Sequence, residues 1–128
     1  MGRHQPRPTD AELAILRVLW ERGASTVRQV HEALADTRDT GYTTTLKLMQ
    51  IMADKGLVKR NETNRTHVYS ATAGQEQTQH VLVKDLVDRA FGGSATALVL
   101  RALTAEGTSE AEMREIRKLI EDYREKRS

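Results

Sequence analysis

The sequence predicts a mainly α-helical protein with a small β-hairpin: an N-terminal winged helix-turn-helix followed by a C-terminal helical dimerisation domain. Three observations support this fold class. A helix with one polar face follows two shorter helical segments, two short stretches of strand character come next, and from residue 75 onward the periodicity is helical throughout. We expect the winged helix to span residues 9–72 and the dimerisation domain to span residues 75–126.

Capping signals and apolar stripes indicate the first two helices. Thr9 and Glu12 form a capping box, which predicts a first helix over Asp10–Arg22. Thr26 ends a short extended link and can cap a second helix over Val27–Ala35. The side chains expected to face the core recur at helical spacing: Leu13, Ile15, Leu16, Leu19 and Trp20 in the first helix, and Val27, Val30 and Leu34 in the second.

The third helix, within Tyr42–Leu57, is the segment around which the chain is organised. Any residue of the cluster Thr43–Thr45 can cap its start, and Lys55-Gly56 suits its end. At about 100° per residue, one arc is suited to a core: Thr45, Leu46, Leu48, Met49, Met52 and Ala53. The opposite arc carries groups suited to phosphates and base edges: Thr43, Thr44, Lys47, Gln50, Asp54 and Lys55. We interpret this helix as the one that enters DNA.

Ile51 is an apolar residue within the polar arc of the third helix. One interpretation is a buried contact with a neighbouring element, and the other is contact with a thymine methyl group. Both remain open from the sequence, and Ile51 is counted among the candidate DNA-binding residues.

A β-hairpin is predicted after the third helix. Its strands are Leu57–Asn61 and Thr66–Ala71, joined by a turn over residues 62–65. In a winged helix this hairpin is the wing, and its cations Lys59, Arg60 and Arg65 are candidate DNA contacts beside the third helix. The alternative is a solvated strand edge. The segment Met1–Pro8, with both prolines of the chain, is expected to be a mobile arm.

The C-terminal part is predicted to form three helices, Gln75–Phe91, Ala95–Thr104 and Glu110–Lys126. So small a helical unit buries too little surface to be stable alone. A second copy of the chain is the expected partner, since symmetric dimers dominate among soluble oligomers. The alternative is packing against the chain's own winged helix. The expected dimer interface comprises Leu82, Leu86, Phe91, Leu98, Leu103, Ile116 and Ile120.

Composition excludes several other classes of protein. The chain has 128 residues and a net charge of +2, and residues 1–72 hold eleven basic and eight acidic side chains, which favours a polyanion partner for that part. It contains no cysteine for disulfides or thiolate metal sites, and its four histidines are scattered. No catalytic motif, apolar span or signal peptide is recognisable. We therefore expect a cytoplasmic protein with no enzymatic activity, metal site or cofactor.

Five segments in order resemble the penicillinase-repressor (BlaI/MecI-like) family of bacterial regulators: TDAELAILRVLW, TVRQVHEAL, YTTTLKLMQIMADKGLVKR, RTHVY and FGGSATALVLRAL. The resemblance implies a winged helix, a helical dimerisation domain, and repression by dimers on palindromic operators. It also implies a membrane sensor-protease as partner, which relieves repression by cleaving the tail. By the same resemblance, Thr43, Thr44 and Lys47 lie at the base-reading end of the third helix, and Arg60 and Arg65 lie on the wing.

The sequence departs from this family at several positions. Ile51 occupies a position that is often arginine, and Lys47 replaces a commoner small polar residue, so we expect an altered operator. The cleaved Asn-Phe bond of the antibiotic-resistance repressors corresponds to Arg101-Ala102, and the cysteines of the copper-responsive branch are missing. We expect a DNA-binding repressor that acts as a homodimer on an inverted repeat. The alternative is a winged-helix protein-interaction module without sequence-specific DNA binding.

Overall fold

The computed structural model describes residues 7–62, 65–105 and 107–127. It confirms the predicted fold class: the helices are α1 (Asp10–Arg22), α2 (Val27–Leu34), α3 (Tyr42–Lys55), α4 (Gln75–Ala90), α5 (Ala95–Ala105) and α6 (Glu110–Arg127). The strands are β1 (Ser25–Thr26), β2 (Val58–Asn61) and β3 (Val68–Ala71). The predicted mobile arm and the tip of the predicted hairpin turn lie largely outside the described residues.

Capping residues set the boundaries of the first two helices. The Thr9 hydroxyl accepts a hydrogen bond from the Glu12 amide at 3.2 Å, and the Glu12 carboxylate accepts one from the Thr9 amide at 2.9 Å. Thr26 and Gln29 form the same reciprocal pair at the start of α2. Both capping boxes satisfy amides that a helix leaves without intrahelical partners, which explains why the chain turns into a helix at these two points.

The sheet has three strands, in the order β1-β3-β2, and both pairings are antiparallel. Ser25 pairs with Tyr69 and Thr26 with Val68, whereas Val58 of β2 pairs with Ala71. The predicted hairpin is therefore present, but the segment expected to be only an extended link supplies a third strand. Two residues are too few for a period-2 pattern, so the sequence carried no signal for β1.

The core of the N-terminal unit lies between α1, α2, α3 and the sheet. Its side chains are apolar and buried: Ile15, Leu16, Val18, Leu19, Val27, Val30, Leu34, Met49, Met52, Val58 and Tyr69. Leu13 and Trp20, which were expected in the core, are only half-buried. The Trp20 indole lies at the edge because its Nε1 donates a hydrogen bond to the Ala73 carbonyl at 3.0 Å. An indole N–H needs such a partner when it leaves water.

The described chain divides into two compact units between Val83 and Lys84, part-way along α4. In the second unit, neither α5 nor α6 has a buried residue among those described. Ser94 and Ser109 accept hydrogen bonds from the amides of Ala97 and Glu112, so both helices begin with a hydroxyl cap. The predicted domain boundaries at residues 72 and 75 remain a prediction. Within the described ranges, no helix combines the length and apolar character that crossing a membrane requires.

Candidate nucleic-acid interface

Helix α3 presents the face expected of a reading helix. Thr45, Met49 and Met52 are buried on its inner side. The prediction that a threonine side chain caps this helix is wrong. Its N-cap is Gly41, with no side-chain cap, and the Thr45 hydroxyl donates to the Gly41 carbonyl at 3.3 Å. The threonines lie inside the first turn because the helix already begins at Tyr42.

The outer side of α3 carries the predicted base-reading residues. Thr43, Thr44 and Lys47 are all exposed, within about one helical turn of one another. Ile51 is 38% exposed, so the interpretation of Ile51 as a buried contact is wrong. An apolar side chain therefore accompanies hydroxyl and ammonium groups on one accessible face, a combination that can contact both base edges and a thymine methyl group.

Lys55, also predicted to bind DNA, is held by a carboxylate of another helix. Its Nζ lies 2.8 Å from Oε2 of Glu12, whose side chain is only 2% exposed. Burial raises the pKa of the Glu12 carboxyl, but the hydrogen bond from Lys55 and the Thr9 backbone amide outweigh burial, so the net pKa is lowered. Glu12 is therefore ionised at neutral pH and pairs with the cation at the C-terminal end of α3.

One carboxylate of the predicted wing, that of Glu62, contacts Arg60 and His67. Arg60 Nη2 lies 3.3 Å from Oε1 of Glu62, and His67 Nε2 lies 3.6 Å from the same oxygen. Lys59 and Arg65 are also exposed. The base of the wing thus combines cations with a single acid, which orders Arg60 and partly offsets its charge.

Two grooves separate α3 from the wing. The first, of about 480 Å³, runs from the start of α2 past the N-terminal half of α3 to the wing; its charged and titratable lining residues are Arg28, Tyr42, Arg60, Arg65, His67 and Tyr69. The second, of about 490 Å³, lies at the C-terminal half of α3 and is lined by Gln50, Ala53, Asp54, Arg60 and Glu62. The two grooves therefore differ in charge, the first being basic and the second containing two acids.

No sequence pattern indicated that Arg28 belongs to this interface. Its guanidinium carbon lies 5.6 Å from the centroid of the Tyr42 ring, and the His31 ring meets the same tyrosine edge-on at 5.9 Å. Tyr42 is 41% exposed. The pairing joins α2 to α3 across the turn between them, so no local pattern along either helix predicts it.

The residues predicted for the dimer interface lie on α4, α5 and α6, except Phe91, which directly follows α4. Leu86 and Ile120 are 48% and 53% exposed, whereas the other members, Leu82, Phe91, Leu98, Leu103 and Ile116, are half-buried. Apolar side chains with a higher exposed fraction were absent from that prediction: Leu119 is 66% exposed and Tyr123 is 63% exposed. Among the residues described, no cluster of three or more His, Asp or Glu could hold a metal ion.

Comparison with known proteins identifies one family. The penicillinase repressor family matches residues 8–122. The transcriptional regulator BlaI of Mycobacterium tuberculosis is 36% identical over 105 residues, which cover 80% of this chain and 76% of that protein. The penicillinase repressor of Bacillus licheniformis is 21% identical over 122 residues, or 95% of each chain. These matches confirm the resemblance drawn from the five segments, and the expectation that the chain is no enzyme, since the matched proteins are repressors and regulators.

A solved structure shares the fold of the N-terminal part. It is the solution structure of Bacillus licheniformis BlaI, in monomeric form, in complex with the blaP half-operator. The TM-score is 0.50 at 22% identity, and the match covers 56% of this chain and 88% of that chain. This likeness supports the winged-helix description of the N-terminal part.

Proposed function

Because this chain belongs to the penicillinase repressor family, we propose that it is a transcriptional repressor that binds DNA as a homodimer on an inverted-repeat operator, in the cytoplasm. The single observation that carries the proposal is the exposed outer face of α3, which presents Thr43, Thr44 and Lys47 beside a basic wing. An α-helix of this kind fits the major groove, where base pairs are distinguished by their donor and acceptor patterns.

Within this proposal, different residues of α3 contact different parts of the DNA. The two hydroxyls and the ammonium group near the start of α3 donate to base edges or phosphates, and Ile51 lies one turn beyond Lys47, where it contacts a thymine methyl group. Replacement of a cation by an apolar side chain changes which base is favoured. Ile51 is therefore the residue through which the preferred operator differs from that of relatives with arginine there.

The wing supplies contacts that do not depend on sequence. Arg65 and Lys59 are exposed on the hairpin, and Arg60 is ordered by Glu62 at 3.3 Å. Arginine and lysine neutralise phosphates and release counterions, which contributes affinity for any duplex. Lys55 makes a smaller contribution in this proposal, since its ammonium group is already bound to Glu12.

The homodimer is proposed from the apolar surface of the C-terminal helices. Five apolar side chains there are about half exposed or more: Leu86, Leu100, Leu119, Ile120 and Tyr123. Contact of so much apolar surface with water is unfavourable. A self-complementary contact would cover these side chains in both copies at once. The half-buried residues Leu98, Leu103 and Ile116 would complete that interface.

Relief of repression by a membrane sensor-protease is the remaining part of the proposal. The Arg101-Ala102 bond lies inside α5, and both residues are exposed. Cleavage of a bond within a helix requires the helix to open locally, which is easiest where few residues are buried. Helix α5 meets that condition in a single chain, because none of its described residues is buried. The proposed dimer covers Leu98, Leu100 and Leu103, so opening of α5 is easier in the monomer than in the dimer.

The test of the proposed function uses an operator selected from random duplexes by the full-length protein. Half-sites of a dimer-bound operator lie about one helical turn apart, or a multiple of it. Insertion of about five base pairs rotates one half-site to the opposite face, so we expect affinity in a gel-shift titration to fall to that of a single half-site. Insertion of about ten base pairs returns both half-sites to the same face of the duplex, so this DNA serves as the matched control.

Two outcomes would contradict the proposal. Failure to enrich any sequence would favour the protein-interaction module instead. Equal affinity for normal and half-turn-lengthened operators would show that the two reading helices do not act together. Sedimentation at micromolar concentration provides an independent check, because a dimer should have twice the 14.4 kDa mass of one chain.

A further inference from the structure

We infer that the basic groove between α2, α3 and the wing holds one sugar-phosphate strand of the duplex, and that Arg28, positioned by Tyr42, contacts a phosphate there. The inference rests on the proposed function and assigns a partner to the α2 side of this groove, which the sequence had left unassigned. It adds Arg28 to the interface as a contact residue and Tyr42 as a positioning residue.

The geometry of DNA explains why a strand should pass through this groove. The major and minor grooves of a duplex are separated by a single sugar-phosphate strand. If α3 lies in the major groove and the wing reaches the adjacent minor groove, the strand between them must cross the space between α3 and the wing. Only a groove at that junction can receive it.

The charges of the two grooves decide which one the strand follows. The groove at the N-terminal half of α3 contains Arg28, Arg60 and Arg65, and none of its described lining residues is acidic. The groove at the C-terminal half contains Asp54 and Glu62 with Arg60 alone. Phosphates are repelled by the second and attracted by the first, so the strand runs on the side of α2.

Tyr42 gives Arg28 the geometry that a phosphate contact requires. The guanidinium carbon lies 5.6 Å from the ring centroid, within the range of a cation–π contact. A guanidinium held over an aromatic ring still has N–H groups that can donate two parallel hydrogen bonds to phosphate oxygens. His31 packs edge-on against the same ring at 5.9 Å, which fixes the ring as a platform.

The inference is tested by the salt dependence of binding to the selected operator and to random DNA. Arg28→Gln should weaken both by about fivefold per bound subunit at 0.15 M salt and lower the salt slope by about one unit per subunit. Arg17→Gln is the matched control, because Arg17 is an exposed arginine of α1 that lines neither groove. It should change neither affinity nor slope.

Variants of Tyr42 separate contact from positioning. Tyr42→Leu removes the platform but keeps the charge of Arg28, so affinity should fall with little change in salt slope. Tyr42→Phe keeps an aromatic ring and should restore the affinity. Urea unfolding of each variant identifies any variant that loses binding because it loses the fold. If Arg28→Gln is such a variant, Arg28→Lys replaces it in the test. Because lysine retains the charge, Arg28→Lys should keep the wild-type salt slope.

The outcomes distinguish this inference from the proposed function. A wild-type chain that binds neither the selected operator nor random DNA would overturn the proposed function itself. A wild-type chain that binds while Arg28→Gln keeps the wild-type salt slope would overturn the inference alone. Loss of affinity without loss of slope in Arg28→Gln would give Arg28 a structural role and would also overturn it.

Discussion

The ion pair between Glu12 and Lys55 should stabilise the winged helix by tying the end of α3 to the start of α1. The carboxylate of Glu12 accepts from Lys55 Nζ at 2.8 Å and from the Thr9 amide at 2.9 Å. Glu12→Gln removes the charge but leaves an amide oxygen able to accept from Thr9, as glutamine does in other capping boxes. Lys55→Met removes the cation and keeps an apolar stem of similar length.

The expected magnitudes follow from the burial of the two partners. Hydrogen bonds to charged groups contribute about 1.5–3 kcal/mol, and the lower end applies here because Lys55 is 40% exposed and partly screened. Each single change should therefore lower the free energy of unfolding by about 1–2 kcal/mol. The double variant should lose about the same amount, not the sum, giving a coupling of about 1–2 kcal/mol.

Urea unfolding at fixed protein concentration measures these values, with the fluorescence of Trp20, the only tryptophan, as the probe. The pKa of Glu12 is lowered in the folded protein, so its contribution is present above the ordinary glutamate pKa and is lost as pH falls through the folded value. The gap between wild type and Glu12→Gln should thus shrink steadily below about pH 4.

Two results would refute this reasoning. A coupling within about 0.3 kcal/mol of zero, which is the additivity expected of independent sites, would show that the pair contributes nothing. A gap between wild type and Glu12→Gln that does not change with pH would show that the carboxylate charge is irrelevant. The salt slope of DNA binding by Lys55→Met tests separately whether Lys55 contacts a phosphate. If Lys55 only pairs with Glu12, the salt slope should stay unchanged.

Two further predictions concern single residues of the same unit. Gly56→Ala should lower the free energy of unfolding by about 1–2 kcal/mol, because Gly56 ends α3 at φ +84° with open space around it, and an alanine at the same position is strained by its backbone alone; equal urea midpoints would contradict this. Trp20→Phe should cost about 0.5–1.5 kcal/mol through loss of the hydrogen bond to the Ala73 carbonyl. Circular dichroism measures the second change, and an unchanged midpoint would mean that water replaces the lost partner.

Features specified by neighbouring residues could be predicted from the sequence. Thr9 and Thr26 cap the helices they were expected to cap, and Gly56 adopts the left-handed conformation expected at the end of α3. These signals act over three or four residues, and they define helix boundaries to within two residues. The exception is the start of α3, where three adjacent threonines offered several caps and the helix begins before all of them.

Features that depend on distant residues could not be predicted. Strand β1 exists because Ser25 and Thr26 meet β3, more than forty residues later in the chain. The partner of Lys55 is Glu12, 43 residues away, so the helical wheel placed Lys55 with the DNA-facing residues although its ammonium is bound elsewhere. The contact of Arg28 with Tyr42 likewise joins two different helices, so no local pattern predicts it. The predicted residues of the reading helix nevertheless lie exposed, as the wheel required.

Thr26 has two structural roles, and together they affect the free energy of DNA binding. The residue is the last of β1, paired with Val68 of the wing strand, and its hydroxyl caps α2 through the Gln29 amide at 3.1 Å. Wing and helix-turn-helix are therefore fixed to each other before any ligand arrives. The conformational entropy of arranging them is lost during folding, so it does not reduce the affinity of the later encounter. Loosening of this one junction would weaken association without removing a single group that touches the partner.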